Sequence, residues 1–312
     1  MIGIGLYYRD EIAPDAYEQI DAVNVSRLSF INKSLKHYKR CPKRATKALA
    51  LGTTGHAAVL EPDRFAREFV PWTKRSKPDE DGKTKMSPRR GDDWNAFVAA
   101  NPGKTIVQLD DYNKAVAIRH EIHAEPRSRE AISDVETEVV LVWVDRETGI
   151  LCKGRIDWLR RLNGKRVKPG DKLPDGWRPS FGDLKTARDI SPGKFFHEAA
   201  KLQYHSRMAW YADALRTLFD IEDDPETLVL AVESCDIHDS IVFELDEEDL
   251  QEGRINYQEW LMKLKVAIAH NDFPGMANEV RLKYQIPKFA RHDSEDGLDE
   301  ELDFSKDNTD GD

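Results

Sequence analysis

No stretch of this chain approaches the ~18 consecutive apolar residues of a membrane span, so neither a transmembrane helix nor a membrane partner is expected. Cysteine is scarce. Cys41, Cys152 and Cys235 lie far apart with no CxxC pair, which excludes a zinc ribbon or a cluster-binding quartet and suits a reducing cytoplasm. The opening Met1-Ile2-Gly3 has no signal-peptide pattern, which again points to a cytoplasmic protein. No composition shift divides the middle of the 312 residues, so a single domain over residues 1–290 is expected. An excess of positive charge is missing too: the formal net charge is −10, which would argue against a nucleic-acid partner if it were evenly spread. It is not. Residues 293–312 carry ten Asp or Glu against Lys306 alone, which makes −9 and leaves the first 292 residues at −1. The expectation for 291–312 is a disordered acidic tail, either a solubilising terminus or a DNA-mimicking flap.

What is present centres on residues 138–185. Val139, Leu141, Trp143 and Val144 form a β-rich run, Arg146-Glu147-Thr148-Gly149 supplies a hairpin turn, and Ile150 to Leu159 returns as a second strand carrying Asp157. Ser180 to Thr186 reads as a third strand carrying Asp183 and Lys185. Two residues apart on a strand, Asp183 and Lys185 leave the same face. If the Asp157 strand lies alongside, two carboxylates and an ammonium converge at one sheet edge. Paired carboxylates repel unless a divalent cation neutralises them, and a neighbouring lysine can position a water. That set suits metal-assisted hydrolysis of a phosphodiester. The plainer alternative is a surface ion pair with two hairpin-end aspartates. The apolar strands on which these charges sit weigh against it, because charge there is costly unless used.

Around this sheet the chain reads as helices and loops. Residues 1–20 make a short strand or arm, with Pro14 opening a helical turn; a helix starts near Asn24, with Ser26 as its cap and Leu28, Ile31 and Leu35 at helical spacing. Nine of the fifteen residues from Lys33 to Lys47 are basic or aromatic, among them Lys36, Lys39 and Arg40, which marks a phosphate-backbone patch or a solvated face. A buried helix over 48–62 contains Gly52, Gly55 and the lone His56, a core histidine or a ligand. Residues 71–93, rich in charge, Pro and Gly, are expected to be a long mobile loop. Helices follow at 93–101 and 108–123. A long helix from Phe195 to Phe219 would place Gln203, Arg207 and Tyr211 on one stripe, as a polar edge or as donors toward a phosphate. Strands over 227–232 and 237–245, a helix over 248–271 and a wrap-up segment over 274–287 complete the chain.

The order Gly52-x-x-x-His56, Glu138 leading a strand, Gly154-Arg155-Ile156-Asp157, Asp183-Leu184-Lys185-Thr186, then a helix with Gln203-Tyr204 and Tyr211, resembles the PD-(D/E)xK nuclease superfamily. Within it the chain looks most like the RecE (exodeoxyribonuclease VIII) C-terminal nuclease, and more distantly like lambda exonuclease and the RecB nuclease domain. The similarity spans roughly residues 24–275. It implies an α/β fold with a restriction-endonuclease-like core, a central mixed sheet flanked by helices. It implies Mg²⁺, with Mn²⁺ able to substitute, bound by Asp157, Asp183, His56 and the Leu184 carbonyl, with Glu138 nearby and Lys185 orienting the attacking water. Gln203 and Tyr204 would hold the substrate strand, with Thr186, Arg207 and Tyr211 beside them. Relatives often carry Gln where Arg207 stands, so either Gln203 takes that role one turn earlier or Arg207 meets phosphate itself. The activity implied is a 5′→3′ exonuclease on double-stranded DNA ends that leaves 3′ overhangs. A ring-shaped homo-oligomer, a RecT-like annealing partner and a bacterial or phage-infected host belong to the same implication. The rival readings are a structure-specific or single-strand nuclease, an inactive DNA-binding relic of the fold, and a hydrolase of small phosphoesters.

Overall fold

In the computed structural model the described residues are 2–13, 15–42, 47–77, 81, 84–235, 237–277, 281 and 283–286, with backbone only for 47–49. The acidic tail, Lys43 and Arg44 lie outside them, as does the Lys47 side chain.

The amino-terminal arm is laid onto the sheet. Strand β1 (Gly5–Tyr7) pairs antiparallel with a central strand, a 3-10 turn covers Arg9–Glu11, α1 spans Ala16–Gln19, and β2 is the two-residue strand Val23–Asn24. Helix α2 (Val25–Leu28) is capped by Asn24, whose side chain accepts from the Arg27 N–H at 2.9 Å, and not by Ser26 as the sequence suggested. The helical spacing of Leu28, Ile31 and Leu35 does not make one helix. A 3-10 turn follows at Ser29–Asn32, and Ser34 opens α3 (Leu35–Arg40) by accepting from the His37 N–H. Short polar side chains that capture backbone N–H groups favour such restarts over continuous helix.

Helix α4 (Lys47–Leu60) gives way to α5 (Pro62–Glu68), because Pro62 has no N–H to continue the ladder and suits a first helical turn. The stretch read as a mobile loop from 71 to 93 carries regular structure at both ends. Strand β3 (Phe69–Trp72) includes its start, Arg75 bridges Met86, Trp72 Nε1 donates to the Ser87 carbonyl at 2.7 Å, and α6 (Asp92–Ala100) takes up its end. Strand β4 (Thr105–Gln108) pairs parallel with β3 as a separate two-stranded sheet. These strands of four residues are too short to show a period. Helices α7 (Leu109–Ala124) and α8 (Pro126–Ala131) lead into the main sheet.

That sheet contains β5 (Val135–Val144), β6 (Leu151–Arg160) and β7 (Ser180–Ala187). After α9 (Pro192–Lys201) and α10 (Tyr204–Phe219) it adds β8 (Glu226–Glu233) and β9 (Ser240–Glu244), and α11 (Glu247–His270) follows. Its order is β1-β5-β6-β7-β8-β9, with β2 beside β6; β7 and β8 run parallel while β5–β6 and β6–β7 are antiparallel, so the sheet is mixed. The β5–β6 turn is tied by Asp145, which accepts from the Thr148 N–H at 2.8 Å, and Gly149 takes φ 73°.

Helices cover both faces. On one, Trp143 and Ile156 pack with α10 and α11 through Trp210, Leu215, Trp260 and Leu261, and the Trp143 and Trp210 rings meet edge to face at 5.0 Å. On the other, Leu184, Leu228 and Leu230 pack with Val59 of α4 and with Ile118 and Ile122 of α7. The expected long helix over 195–219 is two helices, broken at Leu202-Gln203, where Gln203 takes φ 57°. Among the described residues no helix is long and apolar enough to cross a membrane.

Candidate active site

The site lies where β6 and β7 part. Their antiparallel ladder holds Leu159 opposite Phe181 and Trp158 opposite Gly182, then stops. One more step of that register sets Asp157 against Asp183. Gly182 makes the close approach possible, since a Cβ there would overlap the Trp158 ring. With the ladder open, Asp157 Oδ2 takes the Leu184 N–H at 2.7 Å, a bond the missing rung would otherwise supply. Asp157 and Asp183 are 9% and 5% exposed, so both carboxylates sit at the bottom of the fork.

On the other side of β6, pairing of Thr137 with Trp158 and of Val139 with Ile156 sets Glu138 opposite Asp157. Glu138 is held in the left-handed region at φ 55°, within a strand whose neighbours are extended. A non-glycine residue there carries strain of ~1–3 kcal/mol, and such strain gathers at functional sites. Its carboxylate lies 2.9 Å from Arg155 Nε. Burial pushes the Glu138 carboxyl above the usual range, with Asp157 and Glu61 acting in the same sense and Arg155 and His56 opposing.

His56 reaches in from α4. Its Nε2 lies 2.6 Å from the Leu184 carbonyl, which can only accept, so Nε2 carries the hydrogen. That leaves Nδ1 facing Asp157 Oδ2 at 3.4 Å. In the neutral imidazole two lone-pair donors then face each other with no hydrogen between them, an arrangement that a cation completes. His56, Glu138 and Asp157 offer ligand atoms all within 4.8 Å of one another, a spacing and a donor set of two oxygens and one nitrogen that fit a divalent ion.

Asp183 is turned to Lys185, with which it forms an ion pair, and Lys185 Nζ lies 5.3 Å from the centre of the Tyr204 ring. Burial draws the Lys185 ammonium below the ordinary lysine range and Arg207 adds to this, while Asp157 pulls it back. Arg207 also sits over Tyr204, at 5.8 Å. Tyr211 lies beneath, packed so tightly on Gly154 that a Cβ there would stand 2.8 Å from its ring, and burial raises its hydroxyl pKa.

These groups line an open cavity of about 650 Å³. Of the residues singled out in the sequence, His56, Glu138, Asp157, Asp183, Leu184, Lys185, Thr186, Tyr204, Arg207 and Tyr211 all border it. Gln203 does not. It is the residue at the α9–α10 break, and its amide is used within the fold, donating to the Ala200 carbonyl at 3.1 Å and accepting from Ser206 Oγ at 3.0 Å. The stripe of Gln203, Arg207 and Tyr211 is therefore not formed, because its first member is off the helix. Lys36, Lys39 and Arg40 do not line the cavity either: α3 packs by the 270s segment, with Lys36 N–H on the Pro274 carbonyl and Lys39 over Phe273 at 4.7 Å.

Several cavity residues went unread in the sequence. Glu61, 8% exposed at its side chain, is bracketed by Arg9 at 2.7 Å and Arg64 at 2.8 Å, and Tyr17 lies against Arg155 at 5.2 Å. Arg9 and Tyr17 come from the arm and no local pattern marks them. Arg155, two before Asp157 in the same strand, was the one with a usable signal.

A family profile described as a PDDEXK-like domain of unknown function (DUF3799) matches residues 18–167 and 172–284. No curated protein sequence matches the chain. Among solved structures, one from Eubacterium rectale described as a "Putative exonuclease" superposes with a TM-score of 0.54 at 13% identity, covering 88% of this chain and 96% of that one.

Proposed function

The chain belongs to the PDDEXK-like domain family (DUF3799), and from that premise we propose that it is a divalent-cation-dependent nuclease hydrolysing DNA phosphodiesters. The observation that carries this reading is the opened fork of β6 and β7, which brings Asp157, Asp183 and Lys185 together with His56 and Glu138. His56, Glu138 and Asp157, with Asp183 and the Leu184 carbonyl at hand, would hold Mg²⁺ or Mn²⁺. When bound, such an ion offsets charge on the scissile phosphate and lowers the pKa of water. The rest falls to the chain's own groups. Asp157 is fixed by the Leu184 N–H, so its second oxygen has a set direction. His56 is oriented by the Leu184 carbonyl. Lys185, lodged between Asp183 and Tyr204, directs the attacking water and offsets the negative charge that grows in the transition state. Arg207, among the described residues paired with no carboxylate, meets a phosphate of the bound strand.

We further propose that the substrate is the end of double-stranded DNA, cut 5′→3′ to leave a 3′ single strand for an annealing partner, by a homo-oligomer. The Eubacterium rectale structure, described as a "Putative exonuclease", accords with an exonuclease, and the resemblance to RecE and lambda exonuclease accords with the polarity. Linear duplex labelled at either end and closed circular DNA, incubated with Mg²⁺, test this. Release of 5′ label, intact circles and at least about hundredfold less cleavage by Lys185→Ala are expected. Nicked or opened circles would instead mean a structure-specific endonuclease. DNA binding without cleavage in Mg²⁺ or Mn²⁺ would leave a binding relic.

A further inference from the structure

The chain makes a connection between its amino-terminal arm and Glu138 that the chemistry above does not use. Lys153, Arg155 and Asp157 are alternate residues of β6 and leave one face of it. Asp157 belongs to the proposed ion site. Arg155 Nε lies 2.9 Å from Glu138 Oε2, and the guanidinium lies 5.2 Å from the centre of the Tyr17 ring. Lys153 is 4% exposed and does not line the cavity; its ammonium reaches the arm instead. Nζ donates to the Tyr17 and Ile20 carbonyls, each at 2.8 Å, and stands 4.7 Å from the centre of the Tyr17 ring.

A buried ammonium is costly unless its hydrogens are taken up, so Lys153 fixes the carbonyls it holds. Helix α1, which carries Tyr17, has four residues and no side-chain bond capping its start, too little to hold its own place. The tether therefore sets where the Tyr17 ring stands. Arg155 needs such a rest. Its side chain is 45% exposed, and a long side chain in that setting spreads over many rotamers unless its head is fixed. An aromatic face does this for a guanidinium. With one oxygen held by a fixed guanidinium, the Glu138 carboxylate keeps its place beside His56 and Asp157. We infer that Tyr17, tethered by Lys153, is a positioning residue that acts through Arg155 to aim Glu138 at the ion. This rests on the ion site proposed above and names what orients one of its ligands.

Two substitutions separate the ring from its bulk. Tyr17→Leu keeps apolar volume and loses the ring, while Tyr17→Phe loses only the hydroxyl. In calorimetry with the full chain, Mn²⁺ should bind Tyr17→Leu about tenfold more weakly than the wild type, and Tyr17→Phe as tightly as the wild type. Wild-type affinity in Tyr17→Leu overturns the inference. So does a Tyr17→Phe as weak as Tyr17→Leu, since the ring is then not what acts. Lys153→Met, its fold checked by thermal melting in EDTA, should match Tyr17→Leu; wild-type affinity in it overturns the tether. General loosening of the site is separated by a double-mutant cycle. In Glu138→Gln, Tyr17→Leu should cost nothing further, and a tenfold loss that persists there overturns the inference. A crystal structure of Tyr17→Leu without metal gives a readout that needs no ion. Arg155 should stand beyond about 4 Å from both Glu138 oxygens, and a pair retained at the wild-type spacing overturns the inference. If the wild type binds no Mn²⁺ while the crystal structure shows that separation, the ion site fails and the Tyr17 platform stands.

Discussion

Asp157 makes a bond that ties its position to the backbone of the neighbouring strand, which separates it from an ordinary surface aspartate. Asp157→Asn keeps the shape and an acceptor for the Leu184 N–H while removing a charge from the cluster with His56 and Glu138. The expected result is cleavage reduced by about a hundredfold or more, with Mn²⁺ binding weakened in calorimetry by at least about tenfold. Unchanged Mn²⁺ affinity would remove Asp157 from the proposed ion site. Gly182 is the second residue on which the fork depends. Gly182→Ala drives a methyl group into the buried Trp158 ring, and overpacking of this kind costs about 1–3 kcal/mol or more, read as a lower urea midpoint. The Asp183-x-Lys185 parity could be read from the sequence because a strand returns every second side chain to one face. Gly182 could not, because its role is set by an indole on another strand. Nor could the left-handed backbone of Glu138, which lies in a run of strand-forming residues.

At the level of elements, the strands around the site showed themselves through alternation and through turn residues; β6 and β7 lie within a residue of where the pattern puts them, while β5 starts at Val135, four residues before the run that begins at Val139. The break between α9 and α10 was hidden. Apolar spacing carries on across Leu202-Gln203 and neither Pro nor Gly marks the stop; what ends α9 is a set of side-chain bonds made by Gln203, partly to a residue 53 positions away. Gln203→Ala loses those bonds while keeping the unfavourable φ, so a stability loss of about 1–2 kcal/mol is expected in urea titration. If Gln203 held DNA and did nothing structural, the midpoint would not move and only KM would rise. The capping of α2 by Asn24 and the restart at Ser34 belong to the same class of misreading, where periodicity outweighed local hydrogen bonding.

For the whole molecule, the half-buried cluster of His56, Glu138 and Asp157 draws on α4, β5 and β6, elements joined only in the folded state. A divalent ion that binds this cluster and not the unfolded chain must therefore raise Tm. At an ion concentration of about a hundred times Kd the gain is roughly 2.7 kcal/mol. Thermal melting with and without Mn²⁺ should show the shift, EDTA should reverse it, and Asp157→Asn should cut it by about half or more. A Tm indifferent to metal in the wild type would sink the ion site.

By itself the sequence determined the strands from β5 to β9, the helix bearing His56 and the order in which Glu138, Asp157, Asp183 and Lys185 occur, because these rest on local period and on residue type. The tertiary structure alone decided that β6 and β7 separate one rung before the two aspartates, that Arg9, Tyr17, Glu61 and Arg64 close the cleft around them, and that Gln203 faces the fold while Leu202 faces the cavity. Register, close approach and side-chain bonding join residues tens of positions apart, and more than a hundred for His56 and Leu184, so no local window of sequence contains both partners.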